Sequence, residues 1–174
     1  HKPTILTTFH PETVGFEKNR MYINELLSAL QELTVKYQIV ITMPNSDTEG
    51  LMIREKIEKF GSQNIKVRLV ESFGMRGYLS CMKHSKLLIG NTSSAFIEAS
   101  YFSKWVINLG KRQDGRINTN NIYSLPIIKE EIIKTVRKIE TSQDLLKQSN
   151  MYGKGNTSNI IIKLLKGLSL KSTI

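Results

Sequence analysis

Cysteine, histidine, proline, tryptophan and acidic residues are all scarce in this 174-residue chain, and most of these shortages exclude something. The single cysteine, Cys81, permits no internal disulfide and suits a reducing cytoplasm, the expected location. Flanked by Leu79 and Met82 on a helical segment, it reads as a packed structural thiol rather than a nucleophile. The three histidines, His1, His10 and His84, lack metal-ligand spacing, so no metal site is expected. No apolar run approaches the ~20 residues that span a bilayer, and no membrane partner is expected. No secretory leader precedes the first strand, so the Asn-x-Ser/Thr matches at Asn91 and Asn156 read as chance. Glycine-rich phosphate signatures are missing too: there is no P-loop and no G-x-G-x-x-G. A serine hydrolase is excluded, because Gly90-Asn91-Thr92 puts Thr in the nucleophile place and Ser94 where the second Gly should be.

What the chain does have is positive charge. Lys and Arg number 25 against 15 acids, a net charge of +10. Such a balance attracts phosphates without choosing between a nucleotide, a nucleic acid and plain solubility. Residues 151–174 hold Lys154, Lys163, Lys166 and Lys171 and no acid. They form no Arg-rich or aromatic-interleaved stripe, so they read as a solvated face and nucleic acid is not the expected partner. With 40% hydrophobic and 23% charged residues, the chain has the composition of a single globular domain.

Short β-rich runs alternate with longer helical periods. The strands predicted are Thr4–Phe9, Gln38–Met43, Lys66–Val70, Lys86–Ile89, Trp105–Asn108 and, from a weaker pattern, Asn121–Tyr123. Between and after them the periodicity predicts helices over Phe16–Lys36, Thr48–Phe60, Arg76–His84, Ser93–Phe102, Lys129–Glu140 and Thr157–Leu168. Such alternation specifies an α/β fold, a Rossmann-like parallel sheet with helices on both faces. Right-handed crossovers then gather the loops that follow each strand along one edge, outside which ligands bind.

Those loops are polar or glycine-bearing. Gly90, Asn91, Thr92 and Ser93 lead from a strand into a helix, where a phosphate can sit. Ser, Thr and Asn also cap helices without any ligand. A capping box would place its acid at residue 95, which is Ala95, so Glu98 has no such local duty and could accept hydrogen bonds from a ribose diol. The surface-acid reading of Glu98 stays open. His10 follows a buried strand and could donate to a phosphate, or simply be a satisfied loop histidine. Arg112 and Arg116 offer planar guanidinium groups to a diphosphate, with solvation as the equal alternative. Phe73 beside Gly74 could flank a base or face the core. Asn45 could contact ligand or only stabilise a turn.

Five ordered runs give these loops a family likeness: TFHPET (8–13), MPNSDTEG (43–50), ESFGMRGYLSCMKHS (71–85), LIGNTSSAFIEA (88–99) and VINLGKRQDGR (106–116). Together they resemble the C-terminal half of the hydrolysing UDP-N-acetylglucosamine 2-epimerases, whose two-domain GT-B-type fold is shared with many nucleotide-sugar glycosyltransferases. The non-hydrolysing branch carries HRREN and TERPE runs, and this chain has neither. The resemblance implies a UDP-sugar substrate and no cofactor. It places His10 near the diphosphate and the reacting sugar, as the catalytic residue of this half. Thr92 and Ser93 hold the diphosphate, Glu98 the ribose and the Phe73 region the uracil, while Arg112 offsets charge on departing UDP. It also implies an N-terminal partner domain, outside this chain, that carries the proton-transfer acids. This fragment alone is then expected to be inactive. Two other readings stay open: the nucleotide-binding half of a GT-B glycosyltransferase, and a non-catalytic basic module that binds nucleic acid. The exact sugar and the oligomeric state, a homo-oligomer included, are not legible.

Overall fold

The computed structural model describes residues 2–12, 15–44, 48–149, 151–153 and 155–167. Among these residues six strands, β1 (Thr4–Thr8), β2 (Gln38–Thr42), β3 (Val67–Val70), β4 (Leu87–Gly90), β5 (Trp105–Leu109) and β6 (Ile122–Leu125), form one sheet. All pairings are parallel and the order is β3-β2-β1-β4-β5-β6. Among the described residues six α-helices accompany them: α1 (Asn19–Leu33), α2 (Thr48–Ser62), α3 (Gly74–His84), α4 (Glu98–Tyr101), α5 (Lys129–Thr141) and α6 (Thr157–Gly167).

Side-chain alternation along the strands explains why both faces are covered. Ile5, Leu87, Ile89, Ile107 and Leu109 enter a core with Ile23, Leu26 and Leu30 of α1, Ile53 and Ile57 of α2, and Ile132 and Val136 of α5. Their strand neighbours Leu6, Leu88 and Val106 point the other way, onto Met82 of α3 and Phe96 and Ala99 around α4. The helix α6 stands apart, with no buried residue. Among the described residues no helix is long and apolar enough to cross a membrane.

The expected strands lie within a residue or two of the observed ones. Two helices differ. The first opens as a 3-10 turn (Phe16–Lys18) and becomes α only at Asn19. Asn19 is fully buried and its carboxamide bonds both the N–H and the C=O of Glu12. The predicted Ser93–Phe102 helix is broken into a 3-10 turn (Ser93–Ala95) and the four-residue α4. Two serines after a β-branched Thr92, and β-branched Ile97 at the junction, are weak helix formers. Ser103, at φ 52°, then stops it.

Candidate functional site

The strand order reverses direction between β1 and β4. From β1 the chain proceeds to β2 and β3 on one side, and from β4 to β5 and β6 on the other. Such a switch point opens a crevice beyond the strand C-terminal ends. Thr8 pairs with Gly90 there. A Cβ on Gly90 would lie 2.0 Å from the Thr8 carbonyl oxygen, so glycine is what lets β1 and β4 meet at their ends.

A cleft of about 710 Å³ lies on the β2–β3 side of this point. Its floor is made by Thr8 and Thr42, the last residues of β1 and β2, paired in register. Phe73 and Tyr78 of the α3 region, Met43 and Pro44 after β2, and Thr92, Ser94 and Glu98 after β4 complete the parts that matter. A larger cavity of about 850 Å³ lies at the opposite sheet edge, around Trp105, Asn121 and the 144–149 segment. Ligands of parallel sheets do not bind at that edge.

Within the cleft the capping explanation of the β4 loop fails. Thr92 is extended (φ −88°, ψ 150°) and makes no side-chain cap bond to the turn after it. Its hydroxyl lies 3.3 Å from Ser94 Oγ instead. A helical turn leaves its first N–H groups without partners inside the turn, so Ser93 and Ser94 can offer amides there. Glu98 begins α4 rather than lying one turn inside a longer helix. Its Oε2 is buried and accepts no hydrogen bond. A buried carboxylate oxygen left in that condition costs free energy unless a donor arrives.

The other expected residues form a second group, held together across the switch point. The Asn91 side chain is fully buried. Its Oδ1 accepts the His10 N–H at 2.8 Å, and its Nδ2 donates to the His10 carbonyl at 2.8 Å and to Glu12 Oε1 at 3.3 Å. The carboxamide is therefore engaged by protein. Its work is to fix His10. Gly90 likewise serves close strand approach and does not line the cleft. Gln113 Nε2 donates to the Asn91 carbonyl at 2.8 Å, and Arg116 Nε donates to Gln113 Oε1 at 2.6 Å. Arg112 Nη1 donates to the Pro11 carbonyl at 2.8 Å. The β5 loop is thus tied to the β1 loop, with the Arg112 guanidinium on the carbonyl of the residue after half-buried His10.

The structure therefore brings Phe73, Thr92 and Glu98 to one cleft. Ser93 lies exposed at its turn, while His10, Arg112 and Arg116 are linked to one another through Asn91, Pro11 and Gln113 and do not line the cleft. Asn45 lies outside the described residues. Sequence reasoning missed Tyr78, Thr8, Thr42, Glu12 and Gln113. For Thr8 and Thr42 a signal existed, since each is a hydroxyl residue ending an apolar strand. At the cleft rim, the Arg54 guanidinium beside Glu71 holds that carboxyl below its ordinary range. Burial pushes the Cys81 thiol up, away from the thiolate a nucleophile needs.

Known proteins share the sequence and the fold. A family model described as UDP-N-acetylglucosamine 2-epimerase matches residues 1–166. The chain is 31% identical over 173 residues to a UDP-N,N'-diacetylbacillosamine 2-epimerase (hydrolyzing) of Legionella pneumophila, covering 99% of this chain and 45% of that protein. It is 34% identical over 143 residues to a GDP/UDP-N,N'-diacetylbacillosamine 2-epimerase (hydrolyzing) of Campylobacter jejuni, covering 82% of this chain and 36% of the relative. The chain thus spans less than half the length of these relatives. Among solved structures, the UDP-GlcNAc 2-epimerase of Neisseria meningitidis bound to UDP-GlcNAc shares the fold. It has a TM-score of 0.76 at 20% identity, over 96% of this chain and 45% of that one.

Proposed function

Because this chain belongs to the UDP-N-acetylglucosamine 2-epimerase family, we propose that it is the nucleotide-holding half of a hydrolysing 2-epimerase, a cytoplasmic enzyme acting on a UDP-linked 2-acetamido sugar. The observation that carries this reading is the buried, unpartnered Glu98 Oε2 in a cleft whose Thr92 hydroxyl caps nothing. A ribose diol supplies two O–H donors to the carboxylate, and a diphosphate accepts from Thr92 and from the Ser93 amide. Phe73 flanks the base. Arg112 and Arg116 offset the charge that develops on the leaving diphosphate.

The reaction proposed eliminates UDP from C1 as the C2 proton is removed, giving a glycal. Water then adds across that double bond: its hydroxyl goes to C1, a proton returns to C2 on the opposite face, and the free 2-epimer leaves. His10 stands beside the diphosphate and the reacting carbon. The acids and bases for C2 are assigned to an N-terminal partner domain, so this half alone is expected to bind without turning over. The sugar to test first is the UDP-linked 2,4-diacetamido-trideoxy sugar, for which two relatives are named.

Calorimetry with UDP tests the reading. Saturable binding is expected, about tenfold weaker in Glu98→Gln, which corresponds to one lost charge-assisted hydrogen bond. That variant is also expected to lose the preference for UDP over 2'-deoxy-UDP. Absence of UDP binding, or binding only to polynucleotide with a steep salt dependence, would sink it.

A further inference from the structure

Five hydroxyl groups form a row along the floor of the cleft, and at most one of them has a place in the function proposed above. Thr42 Oγ1 lies 2.6 Å from Thr8 Oγ1, which lies 3.4 Å from the Tyr78 hydroxyl. The Tyr78 hydroxyl is 2.7 Å from Ser94 Oγ, itself 3.3 Å from Thr92 Oγ1. Two short bonds are thus joined end to end by two longer contacts. Thr8, Thr42 and Ser94 are each more than nine-tenths buried. Tyr78 is the one member carried by α3; the others come from strand ends and from the β4 loop.

We propose that Tyr78 is a positioning residue: its hydroxyl donates to Ser94 and so turns the Ser94 proton onto Thr92, which leaves the Thr92 proton for an anion at the β4 loop. Each hydroxyl has one proton and must choose which neighbour receives it. Only one polarity of the row, running from Thr42 toward Thr92, delivers the last proton at the β4 loop; the reverse polarity delivers it at Thr42. An anion, which only accepts, selects that polarity and strengthens every bond in the row. With phenylalanine at 78 the row is cut in two. Ser94 then loses its donor, so Thr92 turns its own proton back onto Ser94 and none is left for the ligand. The ring keeps its packing in that variant, so the loss is specific to the hydroxyl.

This inference rests on the proposed function for the identity of the anion, a nucleoside diphosphate. The test therefore compares UDP, by calorimetry, with uridine, by NMR titration, on the 174-residue chain, with a thermal melt as a check on folding. For Tyr78→Phe, UDP affinity is expected to fall about tenfold while uridine affinity and the melting midpoint stay in place. Ser94→Ala is expected to give a similar loss, and the double variant little more than either single one. Equal losses for UDP and uridine, or an unchanged UDP affinity, would overturn the positioning role while leaving the proposed function standing. A parent chain that fails to bind UDP would overturn both.

Discussion

Both ends of the Asn91 carboxamide are bonded to the chain at His10, so one side chain decides where the histidine of the site stands. Asn91→Ala removes two hydrogen bonds to the His10 backbone. It is expected to cost about 2 kcal/mol in chemical denaturation and to weaken UDP binding. Asn91→Asp is expected to be worse at neutral pH, because a second carboxylate then faces the His10 carbonyl and Glu12. Like charges raise the folded-state pKa, so that penalty should shrink as the pH is lowered; a constant penalty would refute the placement. At Gly90 the demand is steric. Gly90→Ala drives a methyl group into the Thr8 carbonyl and is expected to cost about 3 kcal/mol, read from the same denaturation curves. Residues of this kind were legible in the sequence as polar or glycine positions in loops after strands, but their duties were not. Nothing local to Asn91 shows that its side-chain partner His10 lies 81 residues away. Tyr78 was invisible for the same reason, its partners being 16 and 70 residues distant.

The elements were legible where apolar residues repeat cleanly. Leu87–Ile89 and Val106–Ile107 are buried on both faces and read as strands from composition alone. The α1 face of Ile23, Leu26, Leu30 and Leu33 is likewise written in its spacing. The Ser93–Phe102 stretch misled because its apolar members, Ala95, Phe96 and Ala99, are buried as a helix face would be, while its serines favour turns. One contact between elements predicts a pH effect. Glu140 near the end of α5 meets Lys36 at 2.8 Å and the Tyr37 hydroxyl, beside the start of β2. Burial pushes the Glu140 carboxyl up, but the Lys36 ammonium and the Tyr37 hydroxyl outweigh it and leave it below its ordinary value. A lowered folded-state pKa contributes stability above the unfolded-state value, and that contribution is lost as pH falls through the folded one. Melting temperature is therefore expected to drop in acid, with a shallower acid limb in Glu140→Gln. An unchanged limb would show that this contact is too exposed to count.

At the scale of the whole molecule, no single segment of the chain contains the site. The parallel sheet with helices on both faces came from a general rule of α/β topology, and the rule held; which loops would share a cleft and which would stand beside it depended on packing that no periodicity records. If the chain binds UDP as proposed, ligand at a hundredfold excess over Kd stabilises it by about 2.7 kcal/mol, which corresponds to a melting shift of roughly 5–10 °C. No shift with UDP, against a shift with polynucleotide, would favour the basic-module reading. The pairing of β1 with β4 has one more consequence. Thr8 and Gly90 are neighbours in space but are made at very different times on the ribosome. The β1 loop emerges early and stays half a site until β4, β5 and the loop through Arg116 have followed. Long-range parallel pairing of this kind closes slowly. A nascent chain arrested before that point should not bind nucleotide at all, and its acquisition of UDP binding would time the closure of the sheet during synthesis.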